Sequence, residues 1–165
     1  MPRGVGLRFL QTHLLTMSNP SNCALCQAGA LFDSQAIDYI AQSKHWRIVW
    51  ANPADHASYP CFVRVIWSAH AAEMSDLSGL EQAELLRVVM AVEIAMRAVL
   101  RPDKINLASF GNYVPHVHWH IIPRWVDDMH WPEPNWAAPQ RENGVGHGAA
   151  QRNALAAAIV AALEF

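Results

Sequence analysis

The sequence predicts an α+β domain in which an antiparallel sheet carries one long helix. Short segments rich in Val, Ile, Trp and Phe, at 45–52, 61–70, 104–110 and 116–122, are set apart by Pro, Gly, Asn and Asp. That is the punctuation of strands and turns. A single long segment, 76–100, repeats apolar residues at helical spacing. The last two strand-like segments are joined only by "GNYVP", so they are expected to pair as a hairpin.

The chain has 165 residues, 52% of them hydrophobic. That fits one domain with apolar surface enough for a core. The formal charge of −2 leaves no basic footprint for nucleic acid. No apolar run reaches about 18 residues, so no membrane helix is expected. At the N-terminus, "MPRGVGLRFLQTHLLTMSNPSNC" has only the patch Leu14-Leu15, broken by His13 and Thr16. It is too short for a signal-peptide core. Residues 1–21 are expected as a disordered extension, with Met17 a candidate start, and residues 126–165 as a C-terminal segment. Three cysteines without an export signal suggest reduced thiols in a cytoplasm. Cys61 stands alone and reads as a small buried residue.

"HWRIVWAN" (45–52) reads as a strand, "NPADHASYP" as a loop and "CFVRVIWSAH" (61–70) as a second strand. The helix over 76–100 has a capping box in Ser78 and Glu81. Its apolar stripe runs through Leu85, Val88, Val89, Val92, Ala95, Met96 and Val99, and Glu81, Glu84 and Glu93 form its solvated face. Arg101-Pro102 stops it, because a residue before proline disfavours the helical region. "KINLASF" (104–110) is a third strand. After Arg124 the chain is rich in Pro, Trp and Gly and reads as irregular, until "AAQRNALAAAIVAALEF" closes it as a helix.

The fourth strand carries the chemistry. In "PHVHWHIIPR" (115–124) His116, His118 and His120 alternate with Val117, Trp119 and Ile121. A strand would send the imidazoles to one face and the apolar residues to the other, with neighbouring rings about 7 Å apart. Such a row is an incidental edge strand, a metal site, or a catalyst at phosphorus, where neutral imidazole is a good nucleophile near pH 7. "NCALC", with Cys23 and Cys26, reads as a structural pair or a metal site; a redox role needs the pair at a helix start after a strand, and no strand is visible before it.

"HVHWHII" resembles the signature of the histidine-triad (HIT) family, and the likeness runs over residues 22–125. "GNYVPH" resembles that family's lead-in to the triad, and "SAHAAEMSDLS" the segment opening its helix. The resemblance implies a HIT-like fold with about five antiparallel strands, one long helix and a homodimer. It implies an enzyme acting at the α-phosphate of a nucleoside phosphate or dinucleoside polyphosphate. His118 would be the nucleophile, His120 would hold phosphoryl oxygens and assist the leaving group, and the His116 carbonyl would fix the tautomer of His118. Asn112 would contact phosphate, and Asn52 and Asp55 the ribose. Phe62 and Tyr113 replace polar contacts of many members. A phosphorylase or transferase, a nucleotide-binding protein with little turnover and a metallohydrolase are the alternatives. Some bacterial members hold structural zinc at positions filled here by Cys23, Cys26, His70 and His116. Trp50 and Trp67 are candidates to stack on a base, and the segment around His130 to cover the site. His13, His45, His56 and His147 read as surface residues.

Overall fold

The alternating segments assemble into one five-stranded sheet. The structure is a computed structural model that describes residues 20–31, 39–51 and 57–164. Strands β1 (Tyr39–Gln42), β2 (Trp46–Trp50), β3 (Val63–Trp67), β4 (Lys104–Ala108) and β5 (His118–Arg124) lie in the order β1-β2-β3-β5-β4. Every neighbouring pair is antiparallel. Helices α1 (Ala24–Leu31), α2 (Gly79–Leu100) and α3 (Arg152–Ala162) complete an α+β fold of the expected kind.

Sequence reading missed β1 and α1. β1 is a four-residue edge strand with no fully buried side chain, so it carries no strong alternation. Its turn into β2 is built on Ser43, whose hydroxyl accepts from the N–H groups of His45 and Trp46. Helix α2 begins at Gly79 and not at 76, because Met74–Asp76 forms a separate 3-10 turn with its own reciprocal cap from Glu73 and Asp76. The Ser78–Glu81 box is present. Arg101 ends the helix in the left-handed region, φ 50°, where the following proline leaves it no helical alternative.

The apolar stripe of α2 packs on one sheet face. Leu85, Val88, Val89, Val92 and Met96 are fully buried against Ile48, Val63, Val65, Trp67 and Ile121. Burial of each such side chain is worth about 1.5–3 kcal/mol. Leu155 and Ile159 of α3 close the same core. Trp50 and Trp67 belong to it, so neither is open to stack on a base.

The other face of β5 carries His118 and His120, in register with Ile66 and Arg64 of β3. His116 is not on the strand. β3 ends at Trp67, whose N–H donates to the Val117 carbonyl, while the Val117 N–H donates to Ala71. The ladder has no partner further back, so the chain bends at His116.

The irregular segment after Arg124 is organised by one carboxylate. Asp128 accepts from Arg124 Nε at 2.6 Å and Nη2 at 3.0 Å. It also accepts from the N–H groups of Trp125, His130 and Trp131. Arg124 donates further to the Glu133 carbonyl, and Arg141 to that of Asp128. His147 stacks on Trp125 and bonds Asp127.

Candidate active site

His118 and His120 line a cleft of about 720 Å³, with Arg64, Asn112, Tyr113 and Trp136 among its other walls. Their ring centres are 4.7 Å apart, closer than the strand repeat alone, with the two rings edge to face. His118 Nδ1 lies 2.6 Å from the His116 carbonyl oxygen. A carbonyl only accepts, so Nδ1 carries the proton and Nε2 keeps the lone pair. Burial pushes the His118 pKa down, and the bond to His116 only partly restores it. The ring is therefore neutral near pH 7, the form that attacks an electrophile.

His120 sits in an aromatic enclosure. Trp136 and Phe62 stand edge-on to it at 5.2 and 5.4 Å, and Phe110 lies at 6.0 Å. Phe110 and Trp136 contact each other at 4.9 Å. Arg64 lies 5.6 Å from the Phe62 ring centre and is the one cationic side chain lining the cleft among the described residues. Asn112 and Tyr113 stand at the exposed lip.

The Trp/Pro segment around His130 does reach the cleft, through Trp136, which the sequence does not single out, whereas His130 Nδ1 lies 2.7 Å from the Tyr59 hydroxyl, within the Asp128 network. Burial and the Asp128 charge push the Tyr59 phenol up to about 12, so that network keeps its proton. The available signal was "WPEPNW", an aromatic held in a proline-stiffened loop.

A second constellation lies just before the start of β5. The Sγ atoms of Cys23 and Cys26 and one nitrogen each of His70 and His116 all fall within 4.8 Å of one another. Cys26 Sγ is 3.3 Å from His70 Nδ1 and 3.4 Å from His116 Nδ1, and Cys23 Sγ is 3.4 Å from His116 Nδ1. A tetrahedral zinc with Zn–S of about 2.3 Å and Zn–N of about 2.05 Å has S···N edges of about 3.5 Å. Three of the S···N edges match that geometry, and the donor set is of the kind that holds zinc. His116 Nε2 lies 2.7 Å from the Trp67 carbonyl, so that nitrogen donates and Nδ1 is left as the ligand atom.

The pair does open a helix, α1, where redox cysteines also sit. Burial and the neighbouring Cys23 sulfur push the Cys26 thiol up to about 11, opposite to an activated redox thiol. A bound cation reverses that cost. Arg47, buried in β2, donates to the Leu25 carbonyl at 2.7 Å and so holds the cysteine turn on the sheet.

Asn52, Asp55, His13 and His56 lie outside the described residues. Cys61 is buried and donates to the Gly148 carbonyl, its thiol pushed up to about 11 by burial. His45 is not an isolated surface residue. It pairs with Glu84 at 3.0 Å, and Glu84 also accepts from Trp46 Nε1. His147 likewise pairs with Asp127 at 2.7 Å.

A HIT domain family model matches residues 46–126. An AP-4-A phosphorylase of Mycobacterium tuberculosis is 28% identical over 78 residues, which are 44% of this chain and 40% of that protein. This chain thus spans well under half of that relative's length. A histidine triad protein from Bradyrhizobium japonicum superposes with a TM-score of 0.62 and 26% identity, over 80% of this chain and 94% of its own. A histidine triad protein from Marinobacter aquaeolei superposes with a TM-score of 0.59 and 26% identity, over 78% of this chain and 89% of its own.

Proposed function

Because the chain belongs to the histidine-triad family, we propose that it processes nucleotides at an α-phosphate through a covalent nucleotidyl-histidine intermediate. The observation that carries this reading is the His118 Nδ1 bond to the His116 carbonyl. It leaves a neutral Nε2 lone pair on a ring that lines the cleft.

In the proposed sequence His118 Nε2 attacks the α-phosphorus and a P–N bond forms. The bond to the leaving group breaks as His120 supplies a proton to it. Water then attacks the same phosphorus and gives its proton back to His120, the P–N bond breaks and the nucleoside monophosphate departs. Splitting one displacement into two lowers each barrier. Arg64, His120 and the Asn112 amide hold developing charge on the phosphoryl oxygens. Asn52 and Asp55 are assigned to the ribose. Bound through Cys23, Cys26, His70 and His116, zinc would supply structural cross-linking and take no part in the chemistry.

Hydrolysis is favoured over transfer. The likeness to a protein described as an AP-4-A phosphorylase favours the second reading, in which inorganic phosphate replaces water. The two differ in product. With a dinucleoside tetraphosphate and added phosphate, a hydrolase releases nucleoside monophosphate and a phosphorylase releases nucleoside diphosphate. Chromatography of the products decides, and diphosphate as the main product overturns the hydrolase reading.

The chain is also proposed to form a homodimer through α2, whose Leu86, Met90 and Ile94 recur every fourth residue and are exposed. No described helix is long and apolar enough to cross a membrane, and a cytoplasmic location is proposed from the reduced thiols.

A further inference from the structure

Arg124 ends the strand that carries the histidines. By the two-residue repeat of β5 its side chain shares the face of His118 and His120, yet it is 1% exposed and forms no part of the cleft wall. Its guanidinium bonds in three directions. It meets both oxygens of the Asp128 carboxylate. Nη2 donates to the Glu133 carbonyl at 2.8 Å, and Nη1 donates to Asn106 Oδ1 at 2.6 Å. Asn106 stands on β4, opposite Ile122, so the same group joins two strands to the segment that follows them.

That segment leaves the sheet at Arg124, turns at Asp128 and comes back over the same face. Glu133 meets Arg124, and three residues later Trp136 meets His120, four residues back along β5. The return therefore runs against the strand direction. Bonds from the Ala137 N–H to the Pro134 carbonyl and from Arg141 to the Trp131 carbonyl give it its shape. They do not tie it to the sheet. Among the described residues, the bond from Arg124 to the Glu133 carbonyl is the hydrogen bond that joins residues 131–137 to a strand. Edge contacts with Phe62 and Phe110 hold the Trp136 ring once it has arrived. Where it arrives depends on the register that Arg124 sets.

We propose that Arg124 is a positioning residue for the cleft. It acts through the Glu133 carbonyl to place Trp136 against His120, and Asn106 fixes the angle of its guanidinium. Lysine cannot take its place. An ammonium is a point charge, without the planar fork that meets Asp128 twice and still offers N–H groups to Glu133 and Asn106. The consequence for nucleotide binding rests on the reading proposed above. The place of the Trp136 ring does not.

The test uses the full chain with fluorinated tryptophan incorporated, the Trp136 fluorine resonance being assigned by its loss in Trp136→Phe. Arg124→Lys is expected to shift that resonance without substrate. It should also raise KM about ten-fold with kcat within about two-fold, the pattern of a lost binding wall. Joined to Trp136→Ala it should add nothing, because both changes remove the same wall, whereas an independent structural role would add its own effect. If Arg124→Lys fails to fold, Asn106→Ala asks the same question with the Arg124–Asp128 pair left in place. The Trp136 resonance should again shift, and KM should rise about three-fold. A Trp136 resonance unmoved in folded Arg124→Lys, or in Asn106→Ala where the lysine variant does not fold, overturns the proposal, as does a double variant whose effects on KM add. A resonance that shifts in a chain with no turnover of any nucleotide supports the positioning role and overturns the nucleotide-processing reading instead.

Discussion

At the level of single residues, the triad divides into unlike roles. His118 offers Nε2 to the cleft, His120 is walled by three aromatic rings, and His116 turns away to the cysteines. His118→Ala should leave the fold intact and lower kcat/KM by at least about a thousand-fold, since the proposed mechanism runs through its Nε2. Steady-state kinetics beside a circular dichroism spectrum checks both halves. Trp136→Ala should instead act on binding, because Trp136 is a wall of the cleft and not a proton carrier. KM should rise roughly ten-fold, equivalent to about 1.4 kcal/mol, with kcat nearly unchanged. A collapse of kcat would place Trp136 in the chemistry. The alternation of His118 and His120 was legible in the sequence because period-two patterning needs only neighbours. Trp136 was not, because it reaches the cleft through a loop whose path depends on Asp128, a residue with no local pattern to mark it.

Among the elements, α1 and the segment after β5 were the least legible, for the same reason. Each is held by polar contacts that carry no periodic pattern: the Arg47 bond to the cysteine turn and the Arg124–Asp128 clamp. α1 depends on the cysteine turn, so Cys23→Ser should remove the metal and lower the melting temperature, since binding and folding are coupled. Metal analysis should find about one zinc per chain in the parent protein, and none with the variant. The post-β5 segment depends on Arg124 and Asp128, both almost fully buried. Burial alone would raise the Asp128 pKa, but Arg124, the His130 N–H and the Tyr59 hydroxyl outweigh it and hold the carboxyl at about 2. A folded pKa below the unfolded value means stability that is full above the unfolded pKa. It is lost as pH falls from about 4 through about 2. Asp128→Asn leaves the Arg124 charge buried without its partner and should cost about 3–5 kcal/mol in a denaturant titration at neutral pH. It should also remove most of the acid sensitivity over that window. A variant of unchanged stability would contradict the clamp. The long helix, by contrast, declared its capping box, its C-terminal end and its buried stripe, because Ser78, Glu81 and the step before Pro102 act within a turn of where they stand, although its start was expected three residues early.

On the scale of the whole molecule, the sheet has two unlike faces. One is sealed by α2 and α3, and the other carries the cleft. The outer surface of α2 still exposes Leu86, Met90 and Ile94. If that stripe is the dimer contact, Leu86→Glu with Ile94→Glu should halve the mass seen by sedimentation without unfolding the chain. A parent protein that sediments as a monomer would contradict the dimer. The central claim concerns the cleft, and its most direct measurement is the trapped intermediate. A slow nucleoside phosphoramidate should be mixed with the protein, quenched in base, where phosphorus on imidazole nitrogen persists, and digested for mass spectrometry. The proposed mechanism predicts one nucleoside monophosphate on the peptide containing "VHWHII", placed on His118 by fragmentation and lost in His118→Ala. Turnover of that substrate with no adduct at any time, or an unaltered rate in His118→Ala, would contradict it.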